Sequence, residues 1–149
     1  MLDRPARLLV VEDEAIFAMD LVQQLRAMGH EVVGSVHRGE DALALAERHQ
    51  PDLVLMDIKL AGELDGISTA AQLRSRMGIP VVFVTAYTDT LTTARAKRAR
   101  PLGYLLKPVR ESDLKVTLEI ALHEHQLDQQ LEASRQLFST ALARRGAGV

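Results

Sequence analysis

Charged and polar side chains follow several short apolar runs in this sequence, at the point where each run ends. Glu12 and Asp13 come directly after the first run, Asp57 after the third, Thr85 after the fourth and Lys107 after the fifth. If the runs are parallel strands, these side chains meet, because the carboxyl ends of parallel strands share one edge of a sheet. Three carboxylates at one edge repel each other unless a cation is present.

The residue types indicate which cation and which chemistry this edge could support. Oxygen ligands without histidine or cysteine select Mg²⁺ or Ca²⁺, and a site with few protein ligands suits Mg²⁺, which keeps several waters and adds phosphate oxygens. Lys107 offers a point charge for a phosphate, and Thr85 offers a hydrogen-bond donor. Asp57 could be a nucleophile, since aspartate can form an acyl phosphate. The set therefore predicts phosphoryl transfer, in which positioning and charge neutralisation supply most of the catalysis.

Each of these residues taken alone also has a structural interpretation. An acid after a strand commonly caps the next helix, and Asp13 could do so. Thr85 alone would be a strand-end residue, and Lys107 alone would be a solvated lysine. Such side chains at four strand ends are much less expected by chance than at one, so we favour a functional site.

Strand-like and helical patterns alternate along the first 125 residues. The strand-like runs lie at Leu8–Val11, Glu31–Val36, Leu53–Met56, Val81–Val84 and Leu102–Leu106. Helical patterns separate them, at 39–49, 67–77 and 88–100 among others, and a last one runs from Glu111 to about position 143. Runs this apolar indicate strands buried on both faces. The pattern predicts an α/β fold with a doubly wound, five-stranded parallel sheet and an extended C-terminal helix.

Length and composition exclude several classes of protein. The 149 residues suffice for one domain with an appendage, and 47% apolar and 26% charged residues are ordinary values for a globular protein. A net charge of −2 gives no general affinity for nucleic acid or anionic membranes, and the absence of cysteine excludes thiol chemistry. No apolar run approaches the ~20 residues of a membrane span, and the N-terminus does not resemble a signal peptide. We expect a soluble, cytoplasmic protein without a nucleic-acid or membrane partner.

Four segments carry a resemblance to a known family: "LLVVEDE", "DLVLMD", "VVFVTA" and "GYLLKP", at their mutual spacing. Over residues 6–125 the sequence resembles the receiver domain of bacterial two-component response regulators. The resemblance implies the flavodoxin-like (βα)5 receiver fold. It also implies a phosphorelay partner, either a sensor histidine kinase or a histidine phosphotransfer protein, and a signalling phosphoacceptor rather than an enzyme.

The resemblance assigns the acceptor and the metal ligands residue by residue. Asp57 is implied to be the phosphoacceptor. Glu12, Asp13 and Asp57 are implied to hold Mg²⁺, with the backbone carbonyl of Lys59 completing the metal site.

The resemblance also implies how phosphorylation would be transmitted. Thr85 and Lys107 would bind the phosphoryl group, and Thr85 would be drawn toward it. Tyr104, at the switch-aromatic position, would then rotate into the space left and re-shape the face made by the fourth helix, fifth strand and fifth helix. The alternative for Tyr104 is a rim residue that covers the sheet. The Lys107–Pro108 peptide bond is expected to be cis.

The stretch after Asp57 departs from the family pattern. Residues 59–66 lack the proline that many receivers have there, and their spacing predicts a loop one residue longer. Lys59 and Tyr87 lie two positions beyond the phosphoacceptor and the threonine. Both are expected to overhang the site and limit the approach of water, so we hypothesise a relatively long-lived phosphoryl group.

Residues 126–149 are predicted to form a helical extension. Leu127, Leu131, Ser134, Phe138 and Ala141 follow the 4-3-4-3 spacing of a short coiled coil. We expect this stripe to pair, in a homodimer or with another helix, and a homodimer could also use the face of the fourth helix, fifth strand and fifth helix. The alternative is a helix that frays after about position 130.

Other functions have specific arguments against them. The basic stretch "TTARAKRARP" could contact nucleic acid, but it lacks interleaved aromatic residues and fits a solvated face or a docking surface better. An RNA-binding antiterminator needs a longer tail, so we expect a stand-alone receiver. A Mg²⁺-dependent phosphohydrolase with an aspartyl nucleophile usually needs a second acid where Lys59 stands. A receiver that is never phosphorylated is disfavoured because no key residue is missing.

Overall fold

The computed structural model describes residues 5–147, with side-chain burial described for residues 5–142. Five parallel strands form one sheet in the order β2-β1-β3-β4-β5. The strands are β1 Arg7–Val11, β2 Glu31–Val36, β3 Leu53–Met56, β4 Val81–Thr85 and β5 Gly103–Leu106. The helices between and after them are α1 Ala15–Ala27, α2 Gly39–His49, α3 Gly66–Met77, α4 Thr90–Arg98 and α5 Glu111–Ala147.

Two apolar layers cover the two faces of the sheet. Along β1, Leu8 and Val10 face the layer covered by α1 and α5, whereas Leu9 and Val11 face the layer covered by α2, α3 and α4. All four residues of β3 are buried, as a central parallel strand requires. The predicted doubly wound parallel sheet, the flavodoxin-like receiver fold and the long C-terminal helix are confirmed.

The fourth helix differs from its predicted bounds, since α4 is shorter at both ends than the predicted range 88–100. At its start, the side chain of Asp89 accepts a hydrogen bond from the N–H of Thr92 at 3.3 Å, so Asp89 is the N-cap. At its end, Arg100 has φ 51°, a left-handed conformation that stops the helix before Pro101.

Close packing at Gly66 holds α3 against the end of β3. A Cβ at Gly66 would overlap the carbonyl oxygen of Asp57, so only glycine allows this approach. The N–H of Gly66 donates to the carbonyl oxygen of Ile58 at 2.7 Å. The start of α3 is therefore tied directly to the residues that end β3.

The last helix has two parts with different surroundings. Its first turns pack on the sheet through Leu114, Leu118, Ala121 and Leu122, whereas the side chains of residues 127–142 are all exposed. The 37 residues of α5 correspond to a length of about 55 Å. Of the predicted 126–149 extension, residues 148 and 149 lie outside the described range. Among the described residues, no helix is long and apolar enough to cross a membrane.

Candidate functional site

Glu12 and Asp57 leave the sheet side by side. Val11 pairs with Met56 in neighbouring parallel strands, so the next residues of β1 and β3 are adjacent at the carboxyl edge. One carboxylate oxygen from each of Glu12, Asp13 and Asp57 lies within 4.8 Å of the others. Glu12 and Asp57 are 2% and 5% exposed, whereas Asp13 is exposed. The sheet therefore brings together the three acids that follow the first and third apolar runs of the sequence.

Backbone hydrogen bonds orient the two buried acids. The N–H of Asp57 donates to the carbonyl of Val11 at 2.9 Å, and the N–H of Ile58 donates to Oδ1 of Asp57 at 2.7 Å. The N–H of Glu14 donates to Oε1 of Glu12 at 3.1 Å. With Oδ1 engaged by the backbone, Oδ2 of Asp57 points to the remaining groups of the site.

Lys107 supplies the positive charge at this edge. Its Nζ donates to Oε1 of Glu12 at 2.9 Å, to Oδ2 of Asp57 at 3.0 Å and to Oε1 of Glu14 at 3.4 Å. The Lys107–Pro108 peptide bond is cis, as expected. The N–H of Lys107 donates to the carbonyl of Thr85 at 2.9 Å, which ties the end of β5 to the end of β4.

Burial and the neighbouring charges shift the pKa values of Glu12 and Lys107. Burial raises the pKa of Glu12 to about 7; the hydrogen bond from Lys107 opposes this rise, and the charge of Asp57 adds to it. Burial alone would lower the pKa of Lys107, but its hydrogen bonds to Glu12 and Asp57 outweigh that effect and raise it. Three carboxylates share one ammonium, so the edge has an excess of negative charge. The hard oxygen donors of Glu12, Asp13 and Asp57 fit a Mg²⁺ ion that keeps part of its water shell.

Thr85 and the two tyrosines lie on the β4–β5 side of the same edge. Thr85 is fully buried, and its Oγ1 accepts a hydrogen bond from the N–H of Tyr87 at 3.4 Å. The ring of Tyr104 packs edge-on against Phe83 with centroids 6.0 Å apart, and its hydroxyl donates to the carbonyl of Tyr87 at 2.5 Å. Burial, followed by the charges of Asp89 and Asp57, raises the pKa of Tyr104. Tyr104 thus connects β5 to the segment that follows Thr85.

Known proteins resemble this chain in sequence, and solved structures resemble it in fold. A family model described as the response regulator receiver domain matches residues 8–119. The chain belongs to this family. The transcriptional regulatory protein PdtaR of Mycobacterium tuberculosis is 42% identical over 118 residues, which cover 79% of this chain and 57% of PdtaR. The phyllosphere-induced regulator PhyR of Methylorubrum extorquens is 31% identical over 132 residues, which cover 88% of this chain and 49% of PhyR.

A solved receiver domain has the same fold as this receiver. The signal receiver domain of a modulated diguanylate cyclase from Desulfovibrio desulfuricans G20 superimposes with a TM-score of 0.80 at 40% identity, covering 83% of this chain and 98% of that domain. The receiver chain described here spans about half the length of the curated relatives PdtaR and PhyR.

The loop that follows Asp57 is held by contacts to three other parts of the receiver. Ala61 forms an isolated parallel β-bridge with Arg38, and the N–H of Leu64 donates to Oε1 of Glu40 at 3.1 Å. Arg95 of α4 forms an ion pair with Asp65 at 2.8 Å. The loop is thus anchored to the β2–α2 connection, to α2 and to α4. The side chain of Lys59 is exposed, and its predicted roles as metal ligand and modulator stay predictions.

Two residues of the receiver site were not assigned a role from the sequence. Glu14 contributes a third carboxylate to Lys107, although its side chain is 67% exposed. The ring centroid of Phe17 lies 4.3 Å from Nζ of Lys107. Phe17 fits the helical periodicity of the first helix, so its sequence position predicts only core packing. The position of Glu14 directly after Asp13 was the only sequence signal for either contact.

Proposed function

We propose that this receiver accepts a phosphoryl group on Asp57 from a phosphohistidine of a sensor histidine kinase or a histidine phosphotransfer protein. The observation that carries the proposal is the buried Asp57 carboxylate, whose Oδ2 lies 3.0 Å from Lys107 Nζ within a cluster of three acids. A buried, charge-compensated carboxylate at a sheet edge is positioned as a nucleophile. In this proposal the protein is a signalling phosphoacceptor rather than an enzyme, and it acts in the bacterial cytoplasm.

The proposed transfer is an in-line substitution at phosphorus. A carboxylate oxygen of Asp57 forms the new O–P bond while the N–P bond of the phosphohistidine breaks. When the donor ring is protonated on its other nitrogen, the electron pair of that bond leaves on a neutral imidazole. The product is an acyl phosphate. Lys107, whose Nζ donates to Oδ2 of Asp57, would neutralise charge on the phosphoryl oxygens.

The proposed metal ligands are Glu12, Asp13 and Asp57, with the backbone carbonyl of Lys59 added by the family resemblance. When bound, Mg²⁺ would supply charge neutralisation for the phosphoryl oxygens. The support for this proposal is the donor set itself, which consists of oxygen atoms from acids lying within 4.8 Å of one another.

The proposed switch couples Thr85 to Tyr104 through the segment between them. The Tyr104 hydroxyl donates to the Tyr87 carbonyl, and the Tyr87 N–H donates to Thr85, so movement of Thr85 toward a phosphoryl group would disturb both hydrogen bonds. We propose that Tyr104 responds by rotating inward, which would change the face made by α4, β5 and α5 and favour one of two packings.

We further propose that a second copy of this chain pairs with the extension. Leu127, Leu131 and Phe138 are each at least half exposed and lie on one stripe of α5. The face of α4, β5 and α5 is a second surface that a homodimer could use. Analytical ultracentrifugation of the wild type and of Leu131→Asp would test pairing through the stripe. Dissociation by Leu131→Asp, but not by the neighbouring exposed control Gln129→Asp, is expected; a wild-type monomer would contradict it.

The predicted long lifetime of the phosphoryl group also stays a proposal. Lys59 is exposed and Tyr87 is 37% exposed, so both side chains are free to overhang the edge. Lys59→Ala and Tyr87→Ala should each speed the loss of the phosphoryl group, because water would approach Asp57 more easily. Decay of the phosphorylated protein, followed by intact mass, gives the rates. Unchanged lifetimes in both variants would contradict the hypothesis.

The phosphohydrolase alternative remains disfavoured because Lys59 stands where such enzymes usually place a second acid. The central test is intact mass after incubation with acetyl phosphate and Mg²⁺. Wild type should gain the mass of one phosphoryl group and Asp57→Asn should not, with size-exclusion run alongside to detect a linked change in assembly. No gain in wild type would overturn the proposed function.

A further inference from the structure

Among the described residues, four groups lie around the ammonium of Lys107, and one of them is an uncharged ring. Three are the carboxylates of Glu12, Glu14 and Asp57. The fourth is the ring of Phe17, whose centroid lies 4.3 Å from Nζ, a distance typical of a cation–π contact. The Lys107 side chain is only 11% exposed, so little solvent competes for this contact.

Phe17 is well placed to hold a fixed position. It lies in the first turn of α1 and packs against the apolar layer beneath α1 and α5, with its ring half-buried. Glu14, by contrast, is mostly exposed and contacts Lys107 at the longest of the three carboxylate distances. The ring is therefore supported by the apolar layer, whereas Glu14 is a solvated and weaker partner.

The proposed reaction changes the charged partners of Lys107 but leaves Phe17 as it is. When Asp57 becomes an acyl phosphate, its carboxylate no longer carries its own negative charge. Glu12, if it holds a metal ion, shares its charge with a second cation. The attraction of the ammonium to an aromatic face depends on neither event.

We infer that Phe17 is a positioning residue whose ring holds the Lys107 ammonium beside Asp57, where the phosphoryl oxygens arrive. This inference rests on the proposed phosphoacceptor function. Leucine at position 17 would keep apolar packing in the layer but would present no aromatic face. Tyrosine would keep that face. The two substitutions therefore separate packing from positioning.

The test combines a spectroscopic signature with the binding of a phosphoryl mimic in the full chain. The Hε signals of Lys107, assigned by comparison with Lys107→Arg, should lie upfield of those of the exposed Lys59, Lys97 and Lys115, because the ring current of Phe17 shields them. Titration with beryllium fluoride at saturating Mg²⁺ then gives the affinity of each variant.

In Phe17→Leu the upfield displacement should disappear, and beryllium fluoride should bind roughly two- to tenfold more weakly, because binding would then have to order a Lys107 side chain that the ring no longer holds in place. Phe17→Tyr should retain both properties, as should Val22→Ala, which loses packing in the same layer of α1. Phe17→Met repeats the test with a different apolar side chain if the leucine variant does not fold.

Three results would overturn the inference, and they differ in whether the proposed function falls with it. Wild-type affinity in Phe17→Leu, or an unshifted Lys107 signal in the wild type, would remove the role of Phe17 and leave the phosphoacceptor function intact. No binding of beryllium fluoride by the wild type would overturn the proposed function and this inference together.

Discussion

The side chain of Lys107 joins two buried carboxylates that would otherwise repel each other. Its Nζ lies 2.9 Å from Glu12 and 3.0 Å from Asp57, although the lysine is 95 residues from the first and 50 from the second. Removing one partner of a buried ion pair leaves an uncompensated charge, which is the costly case. At the scale of single residues, the site is therefore held together by the same charges that would make it reactive.

Lys107→Met should destabilise the metal-free protein at pH 8 by about 2–4 kcal/mol, because two buried carboxylates lose their ammonium. At pH 6 the loss of stability should be smaller. The pKa of Glu12 in the folded wild type is raised to about 7, so at pH 6 its carboxyl is mostly protonated and depends less on the ammonium. Urea denaturation in the presence of a chelator measures both values. The exposed control Lys97→Met should change stability little, and equal stability of Lys107→Met and wild type at pH 8 would contradict the expectation.

At the scale of elements, the start of α3 connects the loop after Asp57 to α4. The side chain of Asp65 accepts a hydrogen bond from the N–H of Ser68 at 2.8 Å and pairs with Arg95 on α4. Burial alone would raise the pKa of Asp65, but these two interactions outweigh it and lower that pKa. One carboxylate therefore caps a helix and links two elements.

Asp65→Ala should lower the free energy of unfolding by about 1–2 kcal/mol, because it removes both the cap and the ion pair. Arg95→Ala should cost less than about 1 kcal/mol, since the arginine is half exposed and the cap remains. Denaturant unfolding at pH 7 separates the two contributions. Equal losses in both variants would show that the ion pair, not the cap, dominates.

The entry to β2 offers a pH-dependent contact between elements. Nδ1 of His30 accepts a hydrogen bond from the N–H of Ala6 at 3.3 Å, just before β1. Protonation would remove this acceptor, and burial already lowers the pKa of His30 below its ordinary 6.5. Below pH 6.5 the unfolded chain binds a proton more readily than the folded one, so this contribution to stability is present above pH 6.5 and is lost as the pH falls through the folded-state pKa.

His30→Gln should therefore reduce the fall in stability of the wild type between pH 7.5 and pH 5.5. The exposed control His123→Gln should leave that fall unchanged. Thermal unfolding at the two pH values makes the comparison. A pH dependence that is the same in His30→Gln and wild type would assign the effect to other groups.

At the scale of the whole molecule, the chain has a packed receiver and an exposed helical extension. The last helix contributes Leu118, Ala121 and Leu122 to the core, but every described side chain from 127 to 142 is exposed. The helix is continuous, and the two parts differ in whether their side chains are buried. The predicted division at residue 125 stays a prediction until the parts are separated.

Removal of residues 127–149 should leave the denaturant midpoint of the receiver nearly unchanged, because no described side chain of the removed part is buried. The shortened chain should also lose any self-association that depends on the extension. Urea unfolding and ultracentrifugation of the two forms test these points separately. A large fall in the midpoint under conditions where the full chain is monomeric would show that the extension packs on the receiver.

The sequence by itself determined the order of the elements, the doubly wound class of the sheet and the identity of the acids at its edge. These features depend on local periodicity and on which residue follows each apolar run, and both are read within a few positions. The tertiary structure alone decided that Phe17 faces Lys107, that Glu14 joins its carboxylate partners and that Arg95 pairs with Asp65. It also decided how the loop after Asp57 is anchored, through Arg38 and Glu40. Such contacts join residues that are distant in sequence, and they depend on how each helix is rotated and seated on the sheet, which no local pattern specifies.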